Sequence, residues 1–133
     1  MDAARNRRLI ALLEDAEHSI AFHWERCRDS GVAGATPEAT ARVDACVRAY
    51  FERLKALPPR APEAWIVDAI TSVFDELMRL DAETGGDLLE DAERDLLHPL
   101  ILNAAEAAGL DPHKFPRREP GGKTLDFSVA RAR

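Results

Sequence analysis

The chain has 133 residues with a formal net charge of −6, 46% hydrophobic and 32% charged residues. That length supports one domain with a sizeable core and is short for two. No apolar run approaches the ~20 residues that span a bilayer, and the negative balance disfavours direct binding of nucleic acid. Leu9 to Leu13 are apolar, but Glu14, Asp15 and Glu17 follow at once, so no export leader develops and the chain reads as cytoplasmic. On that reading Cys27 and Cys46, both on the apolar sides of their helices, are expected as free thiols rather than a disulfide.

Four segments carry a heptad-like apolar rhythm. The first holds Leu9, Leu13, Ala16, Ile20, His23 and Cys27, and the second Val43, Val47, Tyr50, Leu54 and Leu57. The third holds Ile66, Ile70, Val73, Leu77 and Leu80, and the fourth, less regular, Leu89, Leu96, Leu100, Ala104 and Ala108. Steps of three and four place each set on one stripe of a helix, and four stripes that must be buried predict an all-α, four-helix antiparallel up-down bundle. Leu13, Ile20, Tyr50, Leu54, Ile70, Val73, Leu77 and Ile101 are the expected core, with His23 among them.

Boundary signals divide the segments. Helix 1 starts near Asp2 or Ala3 and stops at Ser30 and Gly31. Helix 2 opens with Thr36 as N-cap and Pro37 at the first helical position, and Pro58 and Pro59 end it. Helix 3 opens at Pro62 and Glu63 and runs to about Glu83, before Gly85 and Gly86. Helix 4 starts from Asp87, with Glu90 completing a capping box, or one turn later from Asp91, and ends at Gly109. Pro99 inside helix 4 removes a backbone donor and clashes with the Asp95 carbonyl, so a kink or break is expected there. Residues 1–110 thus form the bundle and 111–133 an extended basic tail, rich in Pro and Gly, expected to dock on the bundle or on a partner. Within it Thr124 to Val129 alternate like a strand.

Charge is uneven. From Asp75 to Asp95 nine acids stand against Arg79 and Arg94 alone, whereas the tail after Leu110 carries six basic residues against three acidic. The acidic stretch therefore reads as a docking face for a basic partner, with Asp81, Glu83, Asp87, Glu90 and Asp91 as its binding residues.

Three arrangements imitate chemistry. Asp81 to Ala92 begins like a calcium loop, but Gly85 stands at the fifth position and Ala92 at the twelfth, where a bidentate glutamate is needed. Asp15 with His18 and Asp95 with His98 are Asp-x-x-His pairs, which on facing helices supply half of a di-metal ligand set. His23 and Cys27, one turn apart beside Trp24, could form a thiol-imidazole pair, although packing is the commoner role for such residues. The stretch from Gly86 to Asp95, leading into Ala104-Ala105-Glu106-Ala107-Ala108-Gly109, resembles segments of small bacterial helical proteins. That resemblance implies no activity and assigns no residue a role.

Two functional expectations follow. The favoured one is a non-enzymatic interaction module of a bacterial-type cytosolic protein, needing no cofactor, whose acidic face docks another protein with a basic surface. It could act as an adaptor or as an immunity- or antitoxin-like neutraliser; neither nucleic acid nor membrane is an expected partner, and a homodimer is compatible. The alternative is a small metal-binding bundle, enzyme or sensor, using Asp15, His18, Asp95 and His98.

Overall fold

A computed structural model describes residues 3–31, 36–86 and 88–111. Four helices account for 82% of these residues, with no strand among them: α1 (Ala3–Asp29), α2 (Pro37–Lys55), α3 (Glu63–Glu83) and α4 (Asp91–Ala108). The strand-like Thr124 to Val129, the docking of the basic tail, Asp87 and the Asp91 side chain all lie outside the described residues.

Local chemistry explains the boundaries. The Thr36 side chain accepts the Ala39 N–H at 3.1 Å, and Pro37 follows where its missing donor costs nothing. At the far end of α2, Arg5 of α1 donates to the carbonyls of Leu57 at 2.7 Å, Lys55 at 3.1 Å and Pro58 at 3.3 Å. A buried cation thus satisfies carbonyls that a helix C-terminus leaves exposed. Helix α3 closes with the Thr84 hydroxyl donating to the carbonyls of Leu80 and Asp81, and Gly86 at φ 87° turns the chain so that its N–H reaches the Asp81 carbonyl at 2.8 Å. Gly109, at φ 122°, ends α4 in a Schellman pattern: its N–H meets Glu106 O at 3.1 Å, and the Leu110 N–H meets Ala105 O at 2.9 Å.

Each helix packs on its chain neighbours, α1 also packs on α4, and α4 touches all three others. Polar contacts join the ends of neighbouring helices. Arg5 at the start of α1 meets the end of α2, Arg42 early in α2 pairs with Glu83 at the end of α3, and the Asp111 N–H after α4 meets Glu63 at the start of α3.

The expected core is buried except at two positions on α1. Ile20, Tyr50, Leu54, Ile70, Val73, Leu77 and Ile101 are all inside, whereas Leu13 and His23 are half-buried. Trp24 takes the interior place expected for His23, since a larger apolar ring gains more from leaving water. The Trp24 Nε1 is nevertheless buried without a hydrogen-bond partner among the described residues, at a cost of roughly 1–3 kcal/mol. Tyr50 finds its partner, donating to the Ile101 carbonyl at 2.7 Å.

The expected break at Pro99 does not occur: α4 runs from Asp91 to Ala108 through it. A helix-interior proline costs ~3 kcal/mol, whereas each large apolar side chain fully buried returns ~1.5–3 kcal/mol. Leu97, Leu100, Ile101 and Leu102, on both sides of Pro99, are all buried, so packing outweighs the local penalty.

This packing sets an order of mutational costs. Ile70→Ala, at a fully enclosed position, should lower unfolding stability by about 2–5 kcal/mol, and half-buried Leu13→Ala by less than half as much. Denaturant midpoints compared across the two variants check the order; equal losses would contradict the core described here.

Candidate functional site

The acidic stretch does not form the continuous face expected of it. Asp81 points inward, with only 7% of its surface exposed, and its Oδ1 accepts the Leu89 N–H at 2.8 Å. Its other oxygen lies 3.8 Å from Arg94, whose Nε donates to the Leu89 carbonyl at 2.9 Å. Asp81 is therefore the internal fastener of the α3–α4 junction and unavailable to a partner, which corrects its assignment as a binding residue. Glu93 turns inward as well. Glu83 and Glu90 are exposed as expected, although Glu83 pairs with Arg42 at 3.0 Å and Glu76 with Arg79 at 3.8 Å. Exposed pairs of this kind are worth ~0–1 kcal/mol and exchange readily for other partners.

The two Asp-x-x-His pairs do not share a site. Asp15 and His18 are exposed, and His18 lines a cleft between α1 and α2 with Glu14, Glu17 and Asp44. His98 is buried instead against α3, stacked on Phe74 with ring centroids 5.4 Å apart. Among the described residues these groups join no set of three potential metal ligands, so Asp15, His18, Asp95 and His98 do not assemble the expected centre. The reason is angular: His18 lies off the inward stripe of α1, while His98 lies on the inward side of α4.

What the fold does bring together is His23, Cys27 and Glu93. His23 and Cys27 stand one turn apart near the end of α1, facing the first turn of α4. There His23 Nε2 and Glu93 Oε2 are 2.6 Å apart, Cys27 Sγ lies 3.5 Å from the same nitrogen, and Sγ is 3.9 Å from the same carboxylate oxygen. The second Glu93 oxygen accepts the Glu90 N–H at 2.8 Å, the reciprocal bond of a capping box. One carboxylate thus caps α4 and joins it to α1. Desolvation and the neighbouring Glu93 carboxylate push the Cys27 thiol up, and desolvation, with Glu76 nearby, pushes the Cys46 thiol up to about 11. Neither is an activated thiolate at neutral pH. Both cysteines are free.

The chemistry of the trio is constrained by its geometry. A Cys-His-acid nucleophile needs the thiol at one ring nitrogen and the acid at the other, so that the acid orients the imidazole while the thiol gives up its proton. Here both meet Nε2 and compete for it. Sequence reasoning found His23 and Cys27 from their spacing but not Glu93, which is 70 residues away from His23 and was read only as one more negative charge.

Another feature was missed altogether. Trp65, Asp68, Ser72, Glu76, Arg79 and Glu83 are all exposed and follow one another at steps of three and four along α3, and from Ser72 onward this ridge borders α2. Trp65 is 47% exposed, one of three large hydrophobic residues so placed among the described residues, with Ile10 and Phe22. Its sequence signal was available: a tryptophan immediately before Ile66 cannot share the Ile66 stripe.

Compared with protein-family models, with curated proteins and with solved structures, the chain matches none.

The inward role of Asp81 yields a direct test. Asp81→Ala leaves the buried Leu89 N–H without its acceptor and should cost about 1–3 kcal/mol, whereas Glu83→Ala should stay within ~0.5 kcal/mol. Thermal and denaturant unfolding of the two variants measure this; a larger effect at Glu83 would return Asp81 to the surface.

Proposed function

We propose that this chain is a non-enzymatic protein-docking module whose binding face is the outer ridge of α3, continuing toward Glu90, and whose partner presents a basic surface. Such a module acts as an adaptor or as a neutraliser of the immunity or antitoxin kind. The observation that carries the reading is Trp65, a large aromatic side chain left half in water on the same ridge as Asp68, Glu76 and Glu83. Tryptophan is enriched among the few residues that supply most interface energy, because it removes a large apolar area from water with little rotamer freedom to lose. Surrounding acids add little affinity but steer an oppositely charged partner and fix its register. The face differs from the one read in the sequence: Glu83 and Glu90 remain in it, Asp81 leaves, and Trp65, Asp68 and Glu76 enter. No described helix is long and apolar enough to cross a membrane.

The test uses the immobilised full chain as bait in extract of its native cells, with Trp65→Ala and a triple Asp68→Lys, Glu76→Lys, Glu83→Lys variant alongside. The captured partner is then measured quantitatively. Trp65→Ala should weaken binding by roughly thirty-fold or more, the effect of a residue worth ~2 kcal/mol. The triple reversal should slow association and reduce its dependence on salt. Capture of nothing, or equal capture by all three folded proteins, would contradict the reading.

A further inference from the structure

The three donor atoms at the α1–α4 contact form a nearly closed triangle: His23 Nε2, Cys27 Sγ and Glu93 Oε2, with sides of 2.6, 3.5 and 3.9 Å. Among the described residues it is the one set of three potential ligands whose donor atoms lie this close. Three potential donor atoms of different chemistry held this close together are what a coordinated cation requires. Zinc holds nitrogen and oxygen at about 2.0–2.2 Å and sulfur at ~2.3 Å, so a tetrahedral ion sets its ligand atoms roughly 3.3–3.6 Å apart. Both edges to sulfur are already within a few tenths of an ångström of that range. Only the nitrogen–oxygen edge must open, by about 0.7 Å on the same bond lengths, as the ion enters between imidazole and carboxylate.

The surroundings are built to hold such a ligand set. His23 and Cys27 sit four apart on one helix and so present their donors from one face. Glu93 offers one oxygen to the triangle while the Glu90 N–H holds the other at 2.8 Å, the kind of supporting hydrogen bond that orients a coordinating carboxylate. The turn that carries it is fastened in turn by the bond from the Leu89 N–H to Asp81. The site is reachable, because a quarter of the His23 side chain is exposed while Glu93 is almost covered. An imidazole, a thiolate and a carboxylate are ligands zinc accepts, and the mixture of donors suits a borderline-soft divalent ion better than magnesium or calcium.

We propose that His23, Cys27 and Glu93 form a zinc-type divalent-metal site that ties the end of α1 to the start of α4, with a fourth position open to water. Binding requires the imidazole to carry its proton on Nδ1, leaving the Nε2 lone pair to the metal, and the Cys27 thiol to release its proton to solvent. The site is independent of the α3 ridge, so it stands or falls separately from the docking reading.

Cobalt(II) serves as the probe, since its thiolate complexes absorb in the near ultraviolet and its tetrahedral complexes absorb strongly in the visible. The chelator-treated full chain is titrated with cobalt alone, then with zinc in competition. One equivalent of cobalt should produce both bands, and one equivalent of zinc should remove them and raise the melting temperature. Cys27→Ser should abolish the near-ultraviolet band and His23→Ala should weaken binding by at least tenfold, while Cys46→Ser and His18→Ala bind as wild type. Because Glu93 also caps α4, Glu93→Gln is interpreted only where circular dichroism shows the native helix content, and Cys27→Ser, at a half-exposed position, keeps the test decisive if it unfolds. Absence of the bands in the wild-type chain, or their persistence in Cys27→Ser, overturns the proposal.

Discussion

The structure depends on burying α4. It packs against all three other helices, and its residues Leu97, His98, Leu100, Ile101, Leu102, Ala104, Ala105 and Ala107 are inside, which covers most of its circumference. Small side chains at 104, 105 and 107 allow neighbouring backbones to come close, and the leucines and isoleucine fill what remains. A helix enclosed in this way can contain Pro99, because the packing that flanks the proline exceeds its local cost. It must also be entered and left through polar turns, and most of the distinctive polar contacts serve those turns. Asp81 and Arg94 hold Leu89 before it, Glu93 caps its first turn, and Gly109 with Leu110 closes its last.

That constraint explains which parts of the fold were readable. Helix ends marked by Thr36-Pro37, Pro58-Pro59, Gly85-Gly86 and Gly109 were legible because these residues act through their own backbone angles and caps, which need no knowledge of neighbours. The regular stripes of α2 and α3 were legible because each of those helices buries one face. The fourth segment looked irregular for the same physical reason that it is central: a helix buried on several sides has no single stripe. In α1 the stripe from Leu9 to Cys27 keeps the helical period, but the buried side extends beyond that stripe. By the last turns the inward direction falls at Trp24 rather than at His23, and earlier it includes Arg5, whose charge is satisfied by carbonyls of α2 that the sequence does not reveal.

The candidate site was legible in composition but not in direction. Counting acids between Asp75 and Asp95 identified a strong local charge, yet Asp81 and Glu93 spend theirs inside the molecule, on the Leu89 N–H and on His23. The pairing of Glu93 with His23 and Cys27 depends on α1 lying beside α4, a tertiary fact. Trp65 was legible and overlooked, since its place one residue before the Ile66 stripe requires it to face away from the core. The two proposed sites use different parts of the bundle: the α3 ridge is exposed beside α2, while the His23-Cys27-Glu93 triangle sits at the contact of α1 with α4.

Native-state hydrogen exchange tests the central role of α4 most directly. If α4 is the element on which the others are packed, the amides from Leu100 to Ala107 should be among the slowest in the chain. They should exchange only through global unfolding, with a free energy equal to that from denaturant melts. Exchange of these amides through a lower-energy local opening, with Pro99 marking the boundary of a separately unfolding segment, would contradict the account.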